Sequence, residues 1–336
     1  MSDQRRNDFT GESAILSKMG GFTKLNNFAR YAWLVVGWNV VVILWGVFLR
    51  ASKSGDGCGQ HWLTCHGEVI PSAPELKTVI EFSHRITSFL ALVAVVALVV
   101  WTFRRFAKGT QIRKTAVGSL VFILTEALVG AGLVLTGNTA TTLTTARPFW
   151  MAGHLLNTFI LLGFLTLTAR YACCEIPLKW KVDRKYFVAI IVGVLAIFIV
   201  GISGSIAALA HMLFPAGTLA EGFAQDFSST SHMLLRLRLL HPITAILTSV
   251  FVVFLAGWIA KESGKEAGVV RWSNALSILI LAQIAFGSLT LFMLAPILLQ
   301  VGHLLLADAI WISYVLLAAN FLASSPHTPA FDEVVE

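Results

Sequence analysis

Eight stretches of about 20 apolar residues, at roughly 31–50, 84–103, 116–136, 149–169, 186–208, 239–260, 273–295 and 297–322, take up most of the chain. A helix of that length crosses the ~30 Å hydrocarbon core of a bilayer. Hydrophobic residues make up 56% of the 336 and charged ones 13%, against roughly 25% charge in a soluble chain. Too little polar surface remains to coat a water-soluble particle. The expected fold class is therefore an all-α polytopic membrane protein with eight transmembrane helices. A secreted disulfide scaffold, a disordered chain and a nucleic-acid-binding domain are excluded. The net charge of +7 needs no anionic partner, because membrane proteins keep excess Lys and Arg on one face.

The placement of charge gives an orientation. Residues 1–28 are polar, so no cleavable signal is expected ahead of the first run. The N-terminal segment and the second-to-third, fourth-to-fifth and sixth-to-seventh connections together carry 18 of the 25 Lys and Arg residues. The positive-inside rule puts that side, and both termini, in the cytoplasm. Two long loops, roughly 51–83 and 209–238, then face outward, and Pro296 separates the last two spans.

The chain repeats itself. His84-Arg85-Ile86-Thr87 opens the second span and His241-Pro242-Ile243-Thr244 the sixth. Ile123-Leu124-Thr125-Glu126 with Gly130 returns as Ile280-Leu281-Ala282-Gln283 with Gly287, and Gly153-His154-Leu155-Leu156 as Gly302-His303-Leu304-Leu305. Three matches in one order on corresponding helices indicate two four-helix halves. Four is even, so both halves enter the membrane in the same sense, and the halves are expected as pseudo-twofold-related bundles about an axis along the membrane normal.

The duplicated residues include four histidines, His84, His154, His241 and His303, all near the outer starts of even-numbered spans. Polar groups at such depth are costly and functional. Two helices each offering an imidazole inward can supply the opposed axial ligands of a haem. Zinc or copper fits less well, because carboxylate and thiolate ligands are missing at that depth. The halves then diverge: Glu81 lies one turn before His84, whereas Arg238 holds the equivalent place before His241. Glu81 reads either as a group that moves protons beside the first haem or as a helix-start acid stabilised by the dipole or by Arg85. Glu126, costly if ionised within the membrane, should be protonated or paired. Cys58 and Cys65, with His61 between them and His66 directly after, admit a disulfide, favoured on an oxidising outer side, or zinc. Cys173 and Cys174, at the inner side, read as reduced and inert thiols. His61, His66, His211, His232 and His327 read as solvated.

With these residues in view, the sequence resembles the haem A synthase family of respiring bacteria and mitochondria. The likeness rests on Glu81-Phe82-Ser83-His84-Arg85, the paired Gly-His-Leu-Leu segments, His241, and Cys58 with Cys65. It implies conversion of a ring methyl of haem O to the formyl of haem A for terminal oxidases. It also implies His84 and His154 on the substrate haem, His241 and His303 on a resident haem b iron, a catalytic Glu81 and a Cys58–Cys65 disulfide. Pro242 departs from the family's His-Arg pattern, leaving Arg236 or Arg238, with Arg85 in the first half, as candidates to meet haem propionates. The isoprenoid tail of haem O is expected in an apolar groove between spans or toward lipid. The expected organisation is an N-terminal cytoplasmic tail 1–30, a substrate half 31–170, a linker 171–185, a haem b half 186–322 and a C-terminal tail 323–336. The expected setting is the cell (inner) membrane, with the haem sites toward the outer face. Expected partners are haem O, membrane lipid, haem O synthase and an unidentified electron donor, with no nucleic acid. The competing reading is a non-catalytic di-haem b electron carrier, which would need the histidines but neither Glu81 nor the cysteine pair.

Overall fold

The computed structural model describes residues 26–139, 142–174, 176–179 and 182–324. Most of both expected tails, and His327, lie outside the described residues, as does part of the linker 171–185. Among the described residues there are ten helices: α1 Asn27–Ala51, α2 Leu76–Arg105, α3 Gln111–Leu135, α4 Arg147–Cys173, α5 Arg184–Leu213, α6 Leu219–Phe227, α7 Met233–Arg238, α8 Leu240–Glu262, α9 Ala267–Phe292 and α10 Ile297–Ser324. Eight segments are long and apolar enough to cross a membrane, with α7 and α8 counting as the single span Met233–Glu262. This is a multi-pass membrane protein.

The helices overrun the apolar runs, because hydropathy senses the hydrocarbon layer while the backbone ladder continues beyond it. The clearest case is α2, which starts at Leu76, with Glu75 as N-cap, and so carries Glu81 and His84 on one continuous helix. Polar caps end the ladders: Asn26 Oδ1 accepts from Ala29 N at 2.9 Å, and Glu266 Oε2 from Val269 N at 2.7 Å. Each satisfies a donor that the first turn leaves without an intrahelical partner. The α9–α10 turn is tight enough to force left-handed backbone on Leu294 (φ 58) and Ala295 (φ 52), a cost of roughly 1–2 kcal/mol per residue. Ala295 N closes it onto Thr290 O at 2.7 Å, and Pro296 follows immediately.

In the first half, α1, α2, α3 and α4 pack around a closed ring. In the second, α5, α8, α9 and α10 pack in sequence, but α5 and α10 approach each other less closely than α1 and α4 do. Tyr314 reaches across that wider gap, donating to Ile190 O at 2.7 Å. The halves meet along α4 against α5, α4 against α10 and α1 against α10. Half of α4's most apolar window and 44% of α10's are buried, against 28% or less elsewhere, so these two helices form the centre. There Trp311 donates to Phe159 O at 2.6 Å, and its ring lies over the space left by Gly163. Large apolar side chains such as Phe89, Leu128, Phe254 and Leu281 point outward, where a bilayer rather than water covers them.

Candidate functional site

His241 on α8 and His303 on α10 stand with ring centroids 6.3 Å apart and planes at 87°. That separation has a chemical meaning. A metal–imidazole bond is about 2.0 Å, and C–N bonds of about 1.33 Å put a ring nitrogen roughly 1.1 Å from its centroid. Two imidazoles on opposite faces of one iron therefore have centroids about 6.2 Å apart. Ser203 Oγ lies 3.2 Å from His241 Nδ1 and 3.1 Å from Thr244 Oγ1, contacts that fix the orientation of the ring. Gln283 Nε2 lies 3.4 Å from His303 Nε2. No cluster of three or more His, Cys, Asp or Glu capable of holding an ion occurs among the described residues. A metal taken by two such imidazoles must bring its other ligands with it, as the iron of a haem does.

Glycines make room for these rings. A Cβ on Gly204 would lie 2.9 Å from His241 Cε1, one on Gly287 2.9 Å from His303 Cε1, and one on Gly46 3.1 Å from His84 Cε1. Each imidazole thus seats against the bare backbone of a neighbouring helix. Periodicity carried no sign of this, because a glycine inside an apolar run has no hydropathic signature.

In the first half, His84 on α2 lies within electrostatic reach of His154 on α4 and of Glu126 on α3. Nδ1 of His154 is 3.2 Å from Glu126 Oε1. The carboxylate is itself held: Thr158 Oγ1 donates to Oε1 and Asn157 Nδ2 to Oε2 at 2.5 Å. Thr125 Oγ1 donates to Asn157 Oδ1 at 2.6 Å, fixing the amide. The expectation that Glu126 is protonated or paired therefore takes the paired form, with a site histidine. The counterpart Gln283 offers an amide, so one half presents an acid to its histidine and the other a neutral group.

Glu81 is 3% exposed. Its Oε2 accepts from the Cys58 N–H at 2.9 Å, and its Oε1 accepts from the Arg85 guanidinium. Arg85 Nη1 also donates to the carbonyls of His61, Trp62 and Thr64. Cys58 and Cys65 are joined in a disulfide and both are fully buried. Thr78 Oγ1 donates to Gly57 O at 2.6 Å, and an added Cβ at Gly57 would strike the Lys77 carbonyl at 2.3 Å. The cysteine loop is therefore clamped onto the first turns of α2, with Glu81 and Arg85 as the clamp. Of the loop histidines, His66 is exposed, as expected, and its Nε2 also makes a 2.8 Å hydrogen bond with Gly57 O.

Comparison with known proteins adds to this geometry. Residues 29–315 match the family described as cytochrome oxidase assembly protein. The Heme A synthase of Shouchella clausii is 30% identical over 281 residues, covering 81% of this chain and 89% of that one. The chain belongs to the haem A synthase family. The Heme A synthase of Halalkalibacterium halodurans is 36% identical over 126 residues, 38% of this chain and 42% of that one. A Protoheme IX farnesyltransferase of Thermus thermophilus is 43% identical over 294 residues, covering 88% of this chain but 48% of that one. The chain thus spans about half the length of the Thermus relatives it matches.

For a haem A synthase family member, the disposition of cations matters, because a haem brings two propionates. Arg85 is engaged as described. Arg238 donates from Nε to Asp226 Oδ1 at 2.8 Å and from Nη2 to Gly222 O at 3.2 Å. Arg236 Nη2 donates to Ser229 O at 2.8 Å. All three arginines nominated from sequence also hold the segments between the long helices. Arg50, at the end of α1, entered the sequence reading only in the count of Lys and Arg that set the orientation.

Proposed function

We propose that this haem A synthase family member oxidises a ring methyl of haem O to the formyl group of haem A by two successive hydroxylations. The gem-diol formed by the second would lose water to the aldehyde. The observation that carries the reading is one fold in which His241 and His303 stand 6.3 Å apart, His84 and His154 lie within electrostatic reach of each other, and Glu126 is paired with a histidine in the first half alone. A pure electron carrier needs the pairs but gives no reason for the asymmetry of Glu81 and Glu126 against Arg238 and Gln283.

In this reading, His84 and His154 take the substrate haem from α2 and α4. Glu126, braced by Thr158 and Asn157, stands 3.2 Å from Nδ1 of His154 and would orient that imidazole toward the haem. Glu81, one turn from His84, holds or moves a proton at its carboxylate, while Arg85 and the Cys58–Cys65 loop keep that group in place and close the outer side to water. His241 and His303 hold a resident haem b, which supplies electron transfer when bound. The apolar groove between α3 and α4, about 510 Å³ and lined by Val129, Phe149, Trp150 and Ile160, opens beside His154 and suits the isoprenoid tail. Each buried CH₂ of the tail would contribute up to about 0.8 kcal/mol. Both haem sites lie toward the outer face of the cell membrane, and both termini are cytoplasmic. Haem O synthase is the natural supplier. In support, a relative named for farnesyl transfer to protoheme IX shares this sequence over about half its length.

The test is pigment extraction from purified protein, with haem O supplied to the expressing cells. Haem b together with haem O or haem A is expected. Two haem b per chain, with neither of the others, would favour the electron carrier and end this proposal.

A further inference from the structure

A second cavity, about 190 Å³, opens where the end of α1 and the end of α5 meet the α9–α10 turn. Its lining includes Arg50, Lys53, Ala208, His211, Pro296 and Gln300, with no acidic residue. Arg50 and Lys53 have no hydrogen bond or ion pair from their side chains among the described residues. His211 lies within electrostatic reach of Lys53 and of Arg238, and Arg50 within reach of Arg147. The first turn of α10, whose N–H groups point outward, adds the positive end of a helix dipole. A cluster of cations at the margin of a membrane protein, with no anion of its own, marks a place where an anion arrives from elsewhere.

The position of the cavity says which anion. On α5, Ala208 lies one turn beyond Gly204, the residue against which His241 seats. On α10, Gln300 lies one turn before His303. The cavity is thus one turn outward of both members of the His241–His303 pair, in the side of the half where α5 and α10 stand apart. A macrocycle held by that pair carries its two carboxylates on one edge, and two free cations with a neighbouring imidazole complement them. The arginines nearer in sequence are spent on loop carbonyls and Asp226.

We propose that this cavity seats the propionate carboxylates of the haem held by His241 and His303, with Arg50, supplied by the other half of the chain, as their principal counter-ion. The proposal rests on the reading that those two histidines carry haem b. A phospholipid phosphate has the same charge chemistry, so the experiment separates the two.

In the full-length purified protein, Arg50→Gln should be followed by potentiometric titration of the resident haem. Removing a cation beside the carboxylates disfavours the ferrous form. A tenfold shift of the ferric–ferrous equilibrium toward ferric is expected, read as a fall of about 59 mV for one electron, with Arg50→Lys restoring most of it. An unchanged potential at parental haem content overturns the proposal. If Arg50→Gln fails to accumulate, Lys53→Gln is titrated instead and the same fall, smaller in size, is expected; no fall overturns it. Reconstitution with haem b dimethyl ester gives a second reading. The ester should bind at least tenfold more weakly than haem b to the parent and equally well to Arg50→Gln, whereas equal discrimination by both proteins overturns the proposal. Phospholipid that co-purifies with a haem-free His241→Ala/His303→Ala protein and is lost on adding Arg50→Gln would assign the cavity to a lipid headgroup instead. His303→Ala with an unaltered haem b spectrum would remove the underlying ligand reading, whatever Arg50 does.

Discussion

Replacing Gly287 by alanine tests the haem b site through a single methyl group. The new Cβ would stand 2.9 Å from His303 Cε1 and 3.5 Å from its Nδ1. Non-bonded carbons settle at about 3.5–4.0 Å, so the imidazole must retreat by roughly 0.6 Å. Metal–ligand distances hold to about ±0.2 Å, so the retreat is about three times what an iron–imidazole bond tolerates. The helix itself should not suffer, because alanine is favoured over glycine in a helix interior by about 0.8–1.0 kcal/mol. Duplication provides the control: a Cβ on the counterpart Gly130 meets nothing within 4 Å. Reduced-minus-oxidised spectra of the two variants, each normalised to purified protein, are the assay. Gly287→Ala should accumulate normally but lose most low-spin haem b, and Gly130→Ala should keep it. Full, spectrally unaltered haem b in Gly287→Ala would refute both the ligand assignment and the packing argument.

Glu81→Gln should retain haem and lose haem A formation by about 10²–10⁴-fold, measured by pigment chromatography; parental turnover would reduce Glu81 to a clamp for the cysteine loop. Glu126→Leu removes the carboxylate that faces His154 Nδ1 at 3.2 Å, while Thr158 Oγ1 keeps His154 O and Asn157 Nδ2 keeps Phe122 O, so the fold should tolerate the change. Substrate haem should be lost from that variant while haem b, held by the other half, is retained, and equal loss of both pigments would sink the assignment of His154. Alkylation without reductant should leave Cys58 and Cys65 unlabelled and modify Cys173 and Cys174, which are exposed; quantitative labelling of all four by mass analysis contradicts the disulfide.

The spans and the four histidines were legible because each has a linear signature, the first in hydropathy and the second in a repeat. Sequence could nominate Glu81 and Arg85 and their pairing with each other, but not what either touches beyond that. Their partners are backbone groups of a loop some 20 residues away, at Cys58, His61, Trp62 and Thr64, and backbone groups look alike in every sequence. The same applies to Arg238. Its charge suggested a haem contact, and nothing in the sequence signalled that Asp226, twelve positions earlier on α6, also pairs with it, because the short helices α6 and α7 left no clear mark in the loop. What Gly46, Gly204 and Gly287 do was invisible for a different reason, although Gly287 had shown itself as a member of the repeat. Their role is an absence of atoms, and an absence matters only once a second helix places an imidazole against it.

The bond from Trp311 to Phe159 is unlike the features around it in one respect. The register that aligns His303 with His154 aligns Trp311 with Leu162 and Phe159 with Asp308. Neither partner in the contact has a twin in the other half. Two copies of the first half would offer Leu162 where an indole is needed. Two copies of the second would bring to Phe159's place a fully buried Asp308 whose carboxylate oxygens have no hydrogen-bond partner among the described residues. Whatever symmetric pair preceded the fused chain, these substitutions act as an evolutionary ratchet. The centre of the molecule is thus where the two repeats are least interchangeable.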